Sequence, residues 1–245
     1  MERMTAVRPI YEPKARAKEY GDYAINIYTG CPHNCYYCFA PAVLRKSREA
    51  FRTDIQPRKG IVEAVKRQLD KERITGKLIH LCFTCDPYPL GYNSSATREI
   101  IKAIKAAGNH VQILTKNGTD ATHDFDLLDR DDWFGVTYAG YLHRGDVSTA
   151  EPEAGTPYER LFALWEAKKL GISTWVSCEP VLNANDVLYL IEIGSYIDKF
   201  KIGKLNYHPS TINWKKFGEA AERACRQYKR NYYIKEDLRR EMQKP

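Results

Sequence analysis

The chain has 245 residues, 43% of them hydrophobic and 28% charged, with 38 basic and 31 acidic side chains and a formal net charge of +7. That composition suits one substantial core; the 12% aromatic content excludes disorder, and the lack of a long uncharged apolar run excludes a membrane span. The start, Met1-Glu2-Arg3-Met4-Thr5-Ala6-Val7-Arg8-Pro9, has no apolar block of the kind a secretory leader needs, so a cytoplasmic protein is expected.

No repeat or low-complexity linker interrupts the chain, which predicts one domain: an N-terminal arm over 1–22, a core over 23–206 and a C-terminal helical segment over 207–245. Tyr23-Ala24-Ile25-Asn26-Ile27-Tyr28 alternates like a strand and ends at Thr29-Gly30, where a cysteine-rich loop begins. Residues 61–72 put Ile61, Val62, Val65 and Leu69 on one helical face, and a strand over 78–84 follows. A helix over 95–107 precedes a strand over 110–115, and a short helix near 124–129 precedes a strand over 133–138. A helix over 157–170, opened by Thr156-Pro157 and closed at Gly171, precedes a strand over 172–178. A helix over 184–193, a strand over 199–203 and a helix over 213–228 complete the pattern. Six strands alternating with helices predict an α/β fold with a parallel sheet, and six units rather than eight favour a partial (β/α)6 TIM-type barrel.

In such a barrel the carboxyl ends of the strands face the site. Those ends are Thr29-Gly30-Cys31, Thr84-Cys85-Asp86, Thr115-Lys116, Thr137-Tyr138, Cys178-Glu179 and Lys204-Leu205-Asn206. Polar and thiol groups gather there while the strand bodies are apolar, which argues for an enzyme rather than a scaffold.

Seven cysteines in a cytoplasmic chain do not read as a disulfide framework. Three of them, Cys31, Cys35 and Cys38, are strung three and two residues apart in one loop, too close to be independent core residues. They can hold zinc, with His33 or a remote group as fourth ligand, or a four-iron, four-sulfur cluster in which three thiolates leave one iron open. Structural zinc usually takes two separated pairs. The only other pair, Cys82 and Cys85, lies along a predicted strand where its side chains point to opposite sides.

This loop and its surroundings resemble the radical S-adenosylmethionine superfamily, in its spore photoproduct lyase-like branch. The resemblance rests on Thr29-Gly30-Cys31-Pro32-His33-Asn34-Cys35-Tyr36-Tyr37-Cys38-Phe39-Ala40, Thr84-Cys85-Asp86-Pro87, Leu114-Thr115-Lys116 and Ser177-Cys178-Glu179-Pro180-Val181, and runs over most of residues 23–206. It implies that Cys31, Cys35 and Cys38 bind a [4Fe–4S] cluster whose open iron is chelated by S-adenosylmethionine, and that one electron cleaves the sulfonium to methionine and a 5′-deoxyadenosyl radical. By the same resemblance the Tyr37 backbone meets the adenine, Thr84 and Asp86 stand in for a missing Gly-Gly-Glu segment with Asp86 accepting from the methionyl ammonium, and Lys116 pairs with the carboxylate. Thr137 and Glu179 are candidates for the ribose hydroxyls. Cys85 is the candidate hydrogen donor to the product radical, with Thr84 the neighbouring alternative. An external one-electron reductant of flavodoxin or ferredoxin type is implied.

Each role has a plainer competitor: Asp86 before Pro87 starts a turn, Lys116 before Asn117-Gly118 is a solvated turn residue, and Cys85 or Cys178 fills core. His80, Trp175 and Cys225 read as packing. Tyr36, Tyr88, Tyr92, Tyr138, Tyr141, Asn206, Tyr207 and His208 suit a flat, hydrogen-bonding heterocycle, which points to lyase or isomerase chemistry on a modified nucleobase, nucleoside or deazapurine such as queuine. Repair of thymine lesions in DNA is the alternative, favoured by basic flanks: residues 41–77 carry 11 basic and 5 acidic groups, and 213–245 carry 10 and 5. A zinc-stabilised nucleic-acid-binding module is the non-enzyme reading.

Overall fold

The computed structural model describes residues 8–141 and 147–244, with no statement for the side chains of 147 and 148. The first seven residues, on which the reading of the start partly rests, lie outside it. The elements in chain order are β1 (Tyr23–Ile25), α1 (Ala40–Val43), α2 (Arg48–Thr53), α3 (Ile61–Glu72), β2 (Leu78–Leu81), α4 (Ser95–Ala106), β3 (His110–Thr115), α5 (Gly118–Ala121), β4 (Trp133–Thr137), α6 (Val147–Ala150), α7 (Pro157–Lys169), β5 (Ser173–Cys178), α8 (Ala184–Ile193), β6 (Lys199–Ile202), α9 (Trp214–Gln227), β7 (Tyr232–Ile234) and α10 (Glu236–Met242). Short 3-10 turns occupy Ala15–Glu19 and Thr122–Leu127.

The helix boundaries follow their caps. Thr156 accepts from the Glu159 amide while Glu159 reaches back to the Thr156 amide, a full capping box with Pro157 in the first turn, and Gly171 (φ +81°) takes the left-handed conformation past the end. Asn183 and Asn213 cap α8 and α9 through their side chains.

The seven strands form one parallel sheet in the order β1-β2-β3-β4-β5-β6-β7. Parallel strands alternate their side chains between two faces. Ile79, Leu81, Val111, Ile113, Phe134, Val136, Val176, Phe200 and Ile202 share the face covered by helices, and all are fully buried. His80, Gln112, Gly135, Trp175, Ser177 and Lys201 take the other parity and line the concave interior. Trp175 fills that interior: a Cβ on Gly135 would lie 2.2 Å from its ring, which is why position 135 carries no side chain.

Six strands were expected and seven are found; β7 lies in the C-terminal segment predicted to be helical. Three residues are too few to show alternation. The first two strands also end earlier than predicted, at Ile25 and Leu81. After Leu81, Cys82 adopts a left-handed φ of +70°, which breaks the strand geometry on which the opposed placement of Cys82 and Cys85 depended.

Because β1 and β7 do not pair, the barrel is open at that seam. The N-terminal arm bridges it. Tyr11 pairs antiparallel with Ala24 of β1, the Gln112 amide donates to the Tyr20 carbonyl (2.7 Å), Lys201 Nζ donates to the Glu19 carbonyl (2.7 Å), and the Tyr233 hydroxyl of β7 donates to the Glu19 carboxylate (3.1 Å). The Tyr20 ring packs on His80, Phe83 and Trp175 at centroid distances of 5.0, 5.3 and 5.9 Å. No described helix is long and apolar enough to cross a membrane.

Burial, reinforced by Lys201 and Lys235, pushes the His80 imidazole down to about 3, so it stays neutral in the fold. An unfolded histidine binds its proton near 6.5, so the unfolded chain takes up a proton that the native chain refuses. Stability from this residue is complete above pH 6.5 and falls toward pH 3 by about 1.4 kcal/mol per pH unit. Denaturant unfolding across this range is expected to show a shallower pH dependence in His80→Gln than in the wild type; equal slopes would contradict the assignment.

Candidate functional site

The cysteine loop is shaped by backbone contacts, and none of its sulfurs is in a disulfide. Gly30 passes so close to α2 that a Cβ there would lie 2.1 Å from the Phe51 carbonyl oxygen, and the next amide, of Cys31, donates to that same oxygen (3.0 Å). Asn34 turns the loop with a φ of +51°. The Arg48 guanidinium then donates to the carbonyls of Cys35 (3.1 Å), Tyr36 (2.6 Å) and Cys38 (3.4 Å), fixing three successive parts of the loop from one side chain. Cys31, Cys35 and Cys38 are all free thiols and line one cavity with Pro41, Arg48 and Arg52.

The donor set discriminates between the two metal readings. Three thiolates on one tetrahedral zinc stand about 3.8 Å apart, given Zn–S bonds of about 2.3 Å. The three sulfurs here are not all within 4.8 Å of one another, too spread for a single ion. His33 is not a fourth ligand either: its Nε2 accepts from the Leu90 amide (3.3 Å) and its Nδ1 faces Asp86 Oδ2 (3.5 Å). Burial holds this imidazole down to about 4, hence neutral. Burial also raises the Cys31 thiol, with Asp86 and Cys35 adding to the rise, and pushes Cys35 up to about 12. Such thiols ionise only when cationic charge arrives among them. A spread three-sulfur set with no fourth protein ligand among the described residues fits an iron–sulfur cluster that keeps one position open.

Around this loop the strand ends assemble as follows. Asp86, expected to receive an ammonium, is bonded within the protein: Oδ1 accepts from Thr115 Oγ1 (2.6 Å) and the Tyr88 amide (2.9 Å), and Oδ2 accepts from the Lys116 amide (2.9 Å) and faces His33. It knots the ends of β2 and β3 to the cysteine loop. The Lys116 ammonium stands 5.7 Å from the Tyr37 ring centroid. Thr84, beside Asp86, has a buried hydroxyl with no hydrogen-bond partner, while its amide is held by Asn26 Oδ1 (2.9 Å). An orphaned buried hydroxyl at a strand end is the kind of group a ligand satisfies.

Cys85 sits below usual thiol values. Burial alone would raise it, but hydrogen bonds from Cys82 and from the backbone near Tyr28 outweigh that effect, and the same contact raises Cys82. The Tyr28 amide donates to Cys85 Sγ at 3.4 Å. The two thiols therefore engage each other rather than pointing apart. Cys178 takes the helix-facing parity of β5, fully buried near Cys225, and is core.

Thr137 and Glu179 lie farther round the sheet. The Thr137 carbonyl accepts from Arg160 Nη1 (3.0 Å). Glu179 is ion-paired with Lys235, accepts from Asn206 Nδ2 (3.2 Å) and approaches the Tyr20 hydroxyl (3.5 Å). Two groups of residues were missed by sequence reading. Arg160 and Glu151 form a fully buried pair at 2.6 Å, and Glu151 also accepts the Tyr37 hydroxyl. Lys235 and Lys201 stand over the Tyr20 ring at 4.7 and 4.2 Å, and burial lowers Lys201 to about 7. Arg160 carries a legible signal, a charge on the same helical turn as buried Pro157, Leu161 and Leu164; Lys235, at the N-cap of α10 directly after β7, carries none, because the strand before it is too short to predict.

The model of the Radical SAM superfamily matches residues 25–181. The chain belongs to the radical SAM superfamily, and its cofactors are a [4Fe–4S] cluster and S-adenosylmethionine. It is 31% identical over 183 residues to the uncharacterized protein ORF301 of Acidianus two-tailed virus, covering 69% of this chain and 60% of that protein. It is 28% identical over 190 residues to the uncharacterized protein Rv2578c of Mycobacterium tuberculosis, covering 72% and 53%. The chain thus spans a little over half the length of these relatives. Among solved structures it resembles a spore photoproduct lyase variant with bound AdoMet and dinucleoside spore photoproduct (TM-score 0.69, 14% identity, 95% of this chain and 80% of that one). It also resembles Streptococcus suis SuiB bound to S-adenosylmethionine (TM-score 0.62, 12% identity, 86% and 49%). These likenesses establish the partial TIM-type barrel of the radical SAM fold.

The buried Arg160–Glu151 pair makes a sharp stability test. Arg160→Met leaves Glu151 buried and unpaired and is expected to cost about 3–5 kcal/mol in denaturant unfolding. Adding Glu151→Gln should recover a substantial part of that loss; a single variant as stable as wild type would contradict the pairing.

Proposed function

We propose that this protein is a radical enzyme acting on a base-like substrate, a modified nucleobase, nucleoside or deazapurine such as queuine, in a lyase or isomerase reaction. The observation that carries the reading is the set of three spread sulfurs on one cavity, with no fourth protein ligand among the described residues. Cys31, Cys35 and Cys38 would hold the cluster. When bound, the cluster and S-adenosylmethionine supply a 5′-deoxyadenosyl radical from one electron delivered by an external reductant of flavodoxin or ferredoxin type.

The chain's own residues bind and orient. Lys116, which has no ion pair among the described residues, offers a cation near the loop for a carboxylate, and Thr84 offers its unpartnered hydroxyl. Tyr37, anchored through its hydroxyl to Glu151, presents backbone to the adenine. Thr137 and Glu179 serve the ribose hydroxyls, Glu179 being oriented by Lys235 and Asn206. Asp86 acts by positioning: it aims the Lys116 amide and His33, and so sets the height of the loop. Cys85, with Cys82 donating to its sulfur, is the hydrogen donor to the substrate-derived radical.

Support for a heterocyclic substrate comes from the aromatic lip. Tyr36 meets His208 edge-on at 5.2 Å and Tyr37 at 5.4 Å, and Tyr207 is 80% exposed with Arg16 5.5 Å over its ring. Such a lip suits stacking with a flat ring. The alternative, repair of thymine lesions in DNA, is favoured by one observation, the likeness to a photoproduct lyase solved with a dinucleoside photoproduct.

Under reducing, oxygen-free conditions, the correct substrate is expected to drive deuterium exchange into 5′-deoxyadenosine when bases, nucleosides and irradiated DNA are offered in turn. Exchange with irradiated DNA alone would overturn the free-base reading. Cys31→Ala, Cys35→Ala and Cys38→Ala are each expected to abolish formation of 5′-deoxyadenosine; retained cleavage in any one would refute its assignment as a ligand.

A further inference from the structure

The outward side of α7 is apolar where a surface helix is ordinarily polar. Tyr158, Phe162, Trp165 and Lys169 recur at spacings of four, three and four residues, which sets them on one stripe along the helix. Tyr158 is 68% exposed, Phe162 59% and Trp165 43%, and Leu170, just past the last turn, is 65% exposed. The Phe162 and Trp165 rings lie 5.7 Å apart, and Lys169 Nζ stands 4.1 Å from the Trp165 ring centroid, so these side chains are neighbours on one patch. The opposite side of the helix is core: Leu161, Ala163, Leu164 and Ala167 are buried. A helix apolar on both sides is one that is covered on both sides.

Area and charge together select what covers it. Given about 150–250 Å² for a whole aromatic side chain, the three aromatic residues and Leu170 at these exposures offer roughly 500 Å² of apolar surface. A standard two-fold contact takes about 800 Å² from each partner, up to about two-thirds of it apolar, which is the same amount. The charged groups of α7 are engaged within the chain: Glu159 in the capping box, Arg160 with Glu151 (2.6 Å), Lys168 with Asp198 (2.5 Å) and Lys169 with Glu166 (3.2 Å). Two copies therefore meet without unpaired like charge, and no field of one sign favours an oppositely charged protein.

We propose that the outward stripe of α7 is a two-fold interface at which this protein pairs with a second copy of itself. The spacing of four, three and four is that of a seam between paired helices, and a two-fold axis perpendicular to α7 runs the two helices antiparallel. With the axis between Phe162 and Trp165, Phe162 of each copy meets Trp165 of the other, and Lys169 of each lies opposite Tyr158 of the other. The pairing goes beyond the proposed reaction and holds or fails whatever Cys31, Cys35 and Cys38 bind.

Sedimentation equilibrium of the reconstituted protein at micromolar concentrations is expected to give twice the chain mass. Phe162→Glu and Trp165→Lys, both at exposed positions, are each expected to weaken association at least about thirtyfold, the loss of one interface hot spot, with an unchanged denaturant midpoint for the monomer. Phe162→Leu should pair as wild type. Mixed in equal amounts at low ionic strength, the Phe162→Glu and Trp165→Lys chains are expected to recover the dimer, because the axis sets the introduced carboxylate against the introduced ammonium. A wild type that stays monomeric throughout would overturn the proposal and leave the stripe to a different protein. A dimer that survives both single substitutions would overturn it by placing the contact elsewhere, and two monomeric variants that fail to recover each other would overturn the two-fold.

Discussion

The geometry of the site depends on how the backbone of residues 30–38 is satisfied chiefly by groups other than its sulfurs, with Cys35 Sγ making one long contact to the His33 carbonyl (3.8 Å). A loop that turns this sharply exposes carbonyls in several directions, and a buried carbonyl needs a donor. One guanidinium, that of Arg48, supplies three of them, and the absent side chain of Gly30 allows α2 to come close enough for the Cys31 amide to find the Phe51 carbonyl. With those bonds made internally, the three thiols, none of them in a disulfide, stand together on the cavity. They are held apart by the loop, not by each other. A metal centre bound there takes its spacing from the fold.

The second constraint is the parity of the strands. One face of the sheet is largely apolar under its helices, Thr115 and Thr174 excepted; the other carries His80, Gln112, Trp175, Ser177 and Lys201 into the interior. A polar concave face in a barrel with an open seam needs partners, and the N-terminal arm provides them through Glu19 and Tyr20. The same arm places the Tyr20 hydroxyl beside Lys235 and Glu179 at the end of β5. Closure of the seam and orientation of the ribose candidate are thus one network of contacts.

Local chemistry was legible in the sequence. The spacing of Cys31, Cys35 and Cys38, the Thr156-Pro157 start of α7 and the Gly171 stop after it act over a few residues, and the structure keeps all of them. Contacts between distant parts of the chain were not legible. Arg160 and Glu151 meet across a loop, Lys235 reaches Glu179 over 56 residues, and Tyr20 enters the barrel from a segment whose composition reads as a solvated arm. The Cys82–Cys85 placement failed for a different reason. Period-two alternation holds only while φ stays extended, and the left-handed φ at Cys82 ends the strand one residue after Leu81.

The central claim is that three thiolates hold a cluster whose remaining iron binds the amino acid end of S-adenosylmethionine. Electron–nuclear double resonance on the reduced, reconstituted protein with 15N-amino-labelled S-adenosylmethionine tests it most directly. The account predicts a nitrogen coupling to the cluster that is absent with unlabelled cofactor. A protein carrying one zinc and no sulfide, or a reduced cluster that shows no coupling from the labelled nitrogen, would contradict it.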